Sequence, residues 1–501
     1  MRDSNHLSKR DFLKLLGGLS LGFLPLMGCF NERKPEKNTP ETPASGTTTT
    51  GPENTTTPAE AVTEQDVIVL ERDDARYTQY NGSYNKRIAL LPKYIAVCFT
   101  DAGVCHALQL AQQQNLPVSI KSGGHSFEGF SSNNGGMVIN LSQMKAVDWN
   151  DDGTVTVGPG LLLRELHDQV YAKGKLVPAG SCGGVGIAGL TLGGGYGFFS
   201  RKYGFTCDSL VDATLVKADG QVLSAASDTE LLWALRGGGN GNFGVVTSLR
   251  FKTHPMPQTL NATTIKHTIG DSASFAAILQ KWMNLVPQLP PEAFGAFVQN
   301  GKTLTLLFTN YGSGSMATIT TAMSEGARST SSSSSVGKPF TQALKRFYGR
   351  AEPLYFKNAS CGYYKSFDDI ASVAASIFDQ LLAHPGLLFQ VNTLGGAVAS
   401  PEFEAASCYP HRSLPFLSEL QGYYDRPAQE SSILEGFRNI QQLVRGVGVT
   451  AQYRNYPDVE FPDWQHAYYG FNYEKLRQLK AQYDPDNRFR YPQSIEGSPA
   501  S

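Results

Sequence analysis

Between Val62 and about Pro257, short apolar runs alternate with short helical stretches, a texture that predicts an α+β unit. Val67-Ile68-Val69-Leu70 opens it as a strand. Ala102 to Gln114 carries Val104, Leu108 and Ala111 at helical spacing and runs through Pro117 into a strand at Val118–Lys121. Met137–Leu141 predicts another strand, and Thr154–Val157 alternates outward Thr with inward Val. Leu161–Lys173 reads as a helix that Gly174 stops. Ala213–Leu223 predicts a hairpin, because Asp219-Gly220 between two apolar runs suits a tight turn.

From about Gln258 to Gly448 the pattern lengthens. Amphipathic stretches at Ser274–Leu285, Asp368–Leu382 and Gln429–Val444 predict helices, and Thr303–Asn310 and Leu387–Thr393 predict strands. Ser329–Ser335, nearly all serine, reads as a loop. The C-terminal segment is again rich in aromatic and charged residues, with a turn at Asp484-Pro485-Asp486-Asn487. The divisions that follow are 62–257, 258–448 and 449–501. A chain of 501 residues exceeds one ordinary core, so two lobes with a cleft are expected.

The N-terminus reads as an address. Ser8-Lys9-Arg10-Asp11-Phe12-Leu13-Lys14, followed by the apolar stretch Leu15–Met27, resembles a twin-arginine export signal with lysine in the first basic place. Leu26-Met27-Gly28-Cys29 resembles a bacterial lipobox, which makes 1–29 an export signal and puts the protein in the cell envelope on an N-terminal lipid. An ordinary signal peptide or a short anchor is the alternative. Residues 30–61, rich in Thr and Pro with few apolar side chains, form a solvated tether.

A net charge of −1 gives no footprint for nucleic acid. The seven cysteines show no metal-ligand spacing, so no metal site is expected. Cys98 and Cys105 are close enough in sequence for a disulfide, with buried free thiols as the other reading. Glycine changes the picture. Lys121-Ser122-Gly123-Gly124-His125-Ser126 follows a strand, and consecutive glycines let its amides curl round an anion. Gly180-Ser181-Cys182-Gly183-Gly184-Val185-Gly186-Ile187-Ala188-Gly189 runs into Gly193-Gly194-Gly195-Tyr196-Gly197, and a third run spans Gly237 to Gly244 before Val245-Val246. Gly239-Asn240-Gly241-Asn242-Phe243-Gly244 spells the dinucleotide-binding string but follows a helical segment and precedes a strand, the reverse of the required order.

This order of motifs resembles the berberine-bridge-enzyme-like flavin oxidases of the p-cresol methylhydroxylase and vanillyl-alcohol oxidase superfamily, over about Leu90–Phe251 and Tyr453–Ile495. The resemblance implies an α+β fold: an FAD lobe built from both chain ends and an inserted antiparallel-sheet lobe roofing the flavin. It implies FAD bonded covalently to His125 through the flavin 8α-methyl and to Cys182 through flavin C6. It places Lys121, Ser122, Gly123, Gly124, Ser126, Gly180, Val185, Gly186, Gly189, Gly193, Gly194, Gly197, Val246 and Asn455 around that cofactor.

The motif Tyr453-Arg454-Asn455-Tyr456 implies Tyr456 as the group that takes a substrate hydroxyl proton, with Tyr453 beside it; a packed aromatic is the competing reading. A phenol works as a base only if a neighbour stabilises its phenolate or takes its proton. Sugar-oxidising members have an aspartate in a Q-x-D strand for this; here the stretch is Gln390-Val391-Asn392, and asparagine takes no proton. His411, in Tyr409-Pro410-His411-Arg412, is placed on the cleft side without a catalytic role. The implied activity is oxidation of a CH–OH group, in a sugar hemiacetal or a bulky alcohol, by hydride transfer to flavin N5. Oxygen is the expected acceptor, giving hydrogen peroxide. A dehydrogenase with a quinone or cytochrome acceptor, and a flavin-loaded binding lipoprotein, are the alternatives.

Overall fold

The computed structural model describes residues 62–325 and 330–497. The expected export signal, lipobox and tether lie outside the described residues.

Among the described residues the first lobe holds a four-stranded sheet, a five-stranded sheet and a two-stranded pairing of Lys175–Leu176 with His254–Pro255. Val67–Leu70 (β1), Tyr94–Cys98 (β2), Val118–Lys121 (β3) and Met137–Asn140 (β4) form the first, in the order β1-β2-β4-β3, with β4 parallel to both β2 and β3. The central strands β2 and β4 read as unbroken apolar runs because parallel strands are covered on both faces. Helix Asp101–Gln113 (α1) lays Val104, Ala107, Leu108 and Ala111 against this sheet, and Thr100 caps it by accepting from the Gly103 amide. Val147–Trp149 (β5), Val155–Val157 (β6), Leu210–Val216 (β7), Val222–Ser224 (β8) and Val245–Phe251 (β9) make an antiparallel sheet in the order β5-β6-β9-β7-β8. The expected hairpin is β7–β8, with Gly220 in its turn at φ +85°.

The second lobe is one antiparallel sheet of seven strands. Asn261–Thr268 (β10), Ala293–Asn300 (β11), Thr303–Asn310 (β12), Thr330–Ser335 (β13), Tyr355–Tyr364 (β14), Leu387–Thr393 (β15) and Phe416–Tyr424 (β16) lie in the order β13-β10-β12-β11-β15-β16-β14. The serine run is therefore a strand, not a loop. It pairs with β10 from Ala262↔Ser335 to His267↔Thr330 at the sheet edge, where small hydroxyl side chains suffice because a neighbour supplies the ladder. The segment after Asp368 also differs: a single 3₁₀ turn precedes the helix, which begins at Ala374.

Helices Ser272–Leu285, Ala374–Ala383 and Glu430–Gly446 cover one face of this sheet, packing Phe275, Trp282, Phe378 and Phe437 on Phe297, Phe389 and Leu420. Strand side chains alternate in direction. With Phe389, Val391 and Leu420 turned to the helices, Gln390, Asn392, Glu419 and Gln421 face the opposite way, towards the first lobe.

The C-terminal segment docks on the first lobe. Tyr453 Oη accepts from the Gly195 amide at 2.9 Å, and Lys480 Nζ donates to Asn242 O at 2.7 Å and pairs with Asp484. All six described cysteines are free thiols, which excludes a Cys98–Cys105 disulfide. The rejected dinucleotide string lies between helix Thr229–Leu235 and β9.

Candidate active site

The first two glycine loops touch backbone to backbone. A Cβ on Gly123 would lie 2.5 Å from the Gly186 amide nitrogen, and one on Gly186 would lie 2.5 Å from Ser122 Oγ. Glycine at both places is what lets the loops carrying His125 and Cys182 meet. Gly124 sits at φ +69°, and its carbonyl accepts from the Tyr84 amide. The Tyr84 ring then stacks on the His125 imidazole, with centroids 4.0 Å apart. Burial holds that imidazole down to about 4, so it is neutral near pH 7.

These loops wall a cavity of about 400 Å³ between the lobes. Ser122, Gly123, Gly124, His125, Ser126, Gly180, Cys182, Val185, Gly186, Gly189, Gly197, Val246 and Asn455 line it, together with Tyr453, Tyr456 and Asn392. Lys121, Gly193 and Gly194 do not. The Lys121 ammonium turns back to the carbonyls of Tyr80 and Gly82. A Cβ on Gly193 would fall 2.0 Å from Asn455 Oδ1, and one on Gly194 would fall 2.5 Å from the Tyr409 ring. Those two glycines make room for the chain's own side chains. His411 is also off the cavity: its Nε2 donates to Ala467 O at 2.8 Å, and burial keeps it neutral.

The wall facing the two glycine loops is polar and hydrogen-bonded. Tyr456 Oη donates to Tyr196 Oη at 2.9 Å, and Asn392 Nδ2 donates to the same oxygen at 3.1 Å. Gln390 Nε2 donates to Asn392 Oδ1, and Gln421 Nε2 to Gln390 Oε1. Tyr453 is occupied differently, accepting from Gly195 and from Asn455 Nδ2, and so fastens the glycine loop.

Sequence reasoning missed Glu419. It pairs in register with Gln390, is 5% exposed, and lines the cavity. Burial pushes its carboxyl up to about 8, against the hydrogen bonds of Gln421 and Asn358. Burial, and next the charge of Glu419, raise the Tyr456 phenol well above its ordinary value. Tyr456 is therefore a poor base alone, and the group beside it that changes protonation near neutral pH is Glu419. Its signal was a lone carboxylate inside the otherwise uncharged run Phe416–Gln421. Tyr84, Tyr196, Phe127 and Arg350 were also missed as lining residues.

The site suits an elongated, partly flat group. Glycine backbone lines much of one wall, and two buried acceptors, Asn240 Oδ1 and Gln421 Oε1, have no protein partner among the described residues. Imidazole and thiol stand at the same end as Tyr84. A flavin dinucleotide fits this donor set.

The sequence matches the families described as FAD binding domain, over residues 92–226, and Berberine and berberine like, over 452–496. A chitooligosaccharide oxidase of Gibberella zeae is 30% identical over 451 residues, 83% of this chain and 89% of that protein. A carbohydrate oxidase of Microdochium nivale is 30% identical, over 84% and 91%. The solved structure of xylooligosaccharide oxidase from Myceliophthora thermophila, in complex with xylobiose, is similar at TM-score 0.74 and 25% identity, over 87% and 98%. Fold, cavity and sequence thus define an FAD-linked oxidoreductase. Within that class the chain belongs to the berberine-bridge-enzyme-like family.

Proposed function

We propose that this chain oxidises the CH–OH group of an oligosaccharide hemiacetal, with FAD bonded to both His125 and Cys182 and oxygen as the final acceptor, giving hydrogen peroxide. The observation that carries this reading is a proton acceptor, Glu419, on the same wall as the hydrogen-bonded Tyr456, Tyr196 and Asn392. The relatives that oxidise chitooligosaccharide and carbohydrate support the substrate class. The bound cofactor supplies the two-electron acceptor for hydride. This chain's residues do the rest. Tyr456 Oη orients the substrate hydroxyl, and its proton leaves by way of that phenol to the Glu419 carboxylate. Asn392, itself held by Gln390, donates to Tyr196, the phenol that accepts from Tyr456. The amide at 392 only orients, and the acid it replaces in sugar-oxidising relatives is supplied from the neighbouring strand.

Three experiments test this. Oligosaccharides and bulky aromatic alcohols are screened for anaerobic loss of the visible flavin absorbance; bleaching by oligosaccharides is expected, and bleaching only by aromatic alcohols would overturn the substrate class. Wild type, His125→Ala and Cys182→Ala are each denatured, and each should keep its flavin, whereas the double variant should release it. Complete release from the wild type would overturn the covalent attachment. The same reading has the folded, loaded protein exported and held by a lipid on Cys29, so Cys29→Ser should leave the membrane fraction.

A further inference from the structure

Arg164 lies in the first turn of helix Leu163–Tyr171, against the Cys182 loop. Its amide and its Nε both donate to Gly183 O, at 3.1 and 3.0 Å. The Val185 amide donates to Cys182 O at 3.2 Å, closing the loop that carries the thiol. A Cβ on Gly184 would sit 2.9 Å from His125 Nε2 and 3.4 Å from Arg164 Nη2. Glycine at 184 is therefore the spacer across which imidazole and guanidinium approach each other beside the thiol. Among the described residues no carboxylate pairs with Arg164, so its charge is not spent elsewhere.

We propose that Arg164 is a positioning residue for cofactor attachment, whose charge, held by Gly183 O beside the thiol, prepares Cys182 as a nucleophile while leaving the His125 imidazole in its neutral form. The proposal rests on the covalent reading above. Its physics lies in the sign of the charge. A nearby cation favours the thiolate of cysteine and the neutral form of histidine, and these are the attacking forms of each. A carboxylate there would disfavour both. Burial pushes the Cys182 thiol up; the Gly184 amide, Arg164 and the Val185 amide pull against it. Burial lowers the His125 imidazole, and Arg164 lowers it further.

Each attachment balances in the same way. Cys182 Sγ bonds to flavin C6, or the His125 imidazole to the 8α-carbon. The side chain loses its S–H or N–H proton, the carbon loses a proton, and two electrons pass to the ring. Dioxygen then collects two electrons and two protons as hydrogen peroxide, so two bonds consume two dioxygen molecules.

The test uses full-length enzyme, digested and mapped by mass spectrometry. Wild type should carry flavin on the His125 and Cys182 peptides. Arg164→Gln should carry it mainly on His125, whose neutral form burial already secures, with Cys182 open to iodoacetamide. Its Cys182 bond should form about tenfold more slowly at a given pH, the effect of one unit in thiol pKa, and should recover as pH is raised. Arg164→Lys, which keeps the charge, should restore attachment. A fully flavinylated Cys182 in Arg164→Gln, or a loss in Arg164→Lys as severe as in Arg164→Gln, overturns the proposal. A wild type with neither peptide modified overturns the covalent reading itself and this proposal with it.

Discussion

The ring of Phe127 lies parallel to the phenol of Tyr456, centroids 5.2 Å apart and planes 12° from each other. Phe127 follows His125 by two positions, so this stack joins the loop bearing the proposed attachment residue to the tyrosine proposed to take the substrate proton. Tyr456→Phe keeps the stacked ring and deletes only the hydroxyl. Rapid-mixing measurements should show flavin reduction slowed on the order of 10²- to 10⁴-fold, the usual cost of losing acid–base catalysis. Substrate affinity should weaken only by about 0.5 to 1.5 kcal/mol, one hydrogen bond. Equal losses in both would make Tyr456 a binding residue.

Glu419→Gln should remove a pH limb. A carboxyl raised from 4.5 to about 8 is mostly protonated at neutral pH, so the reductive rate of the wild type should rise through about pH 8 as the base ionises. The variant should be slow and flat. Stability gives a second readout. The folded state holds this proton more tightly than the unfolded chain, so the contribution is full below pH 4.5 and is lost as pH rises to about 8. The melting temperature of Glu419→Gln should therefore gain on the wild type across that window; a constant difference would mean Glu419 is not raised.

Asn392→Asp puts a second carboxyl into the same network. Like charges so placed push one another's protons on. The rise in reductive rate should move above pH 8, lowering activity at neutral pH. A gain at pH 7 would instead show that the introduced carboxylate, not Glu419, then takes the proton.

Val185 lines the cavity three residues after Cys182. On the proposed oxidase reading, Val185→Ile narrows the cavity beside the Cys182 loop, so stopped-flow reoxidation by oxygen should slow while reduction by substrate stays nearly unchanged. Reduced wild type that persists in air yet is reoxidised at once by a quinone would identify a dehydrogenase.

The loops that carry His125 and Cys182 were legible because glycine is demanded where backbone meets backbone, as at Gly123 and Gly186, and that demand is written in the residue type. Which side of a glycine is crowded is not written there. Gly193 read as cofactor wall but clears space for Asn455, a residue from the far end of the chain. Glu419 was hidden for a related reason. Its role depends on the register that sets it opposite Gln390, and register is a property of two strands. The serine strand failed likewise, since edge pairing with β10 overrides weak local preference.

The bond from the Gly195 amide to Tyr453 Oη closes a span of 258 residues. During synthesis the first lobe's glycine loops leave the ribosome long before Tyr453, Tyr456 and the Lys480 anchor exist. Contacts of such separation form late, because the entropy of closing the intervening chain is spent before they repay it. The cavity is therefore complete only in a finished polypeptide. A chain cut before Tyr453 would present the two glycine loops with no partner wall.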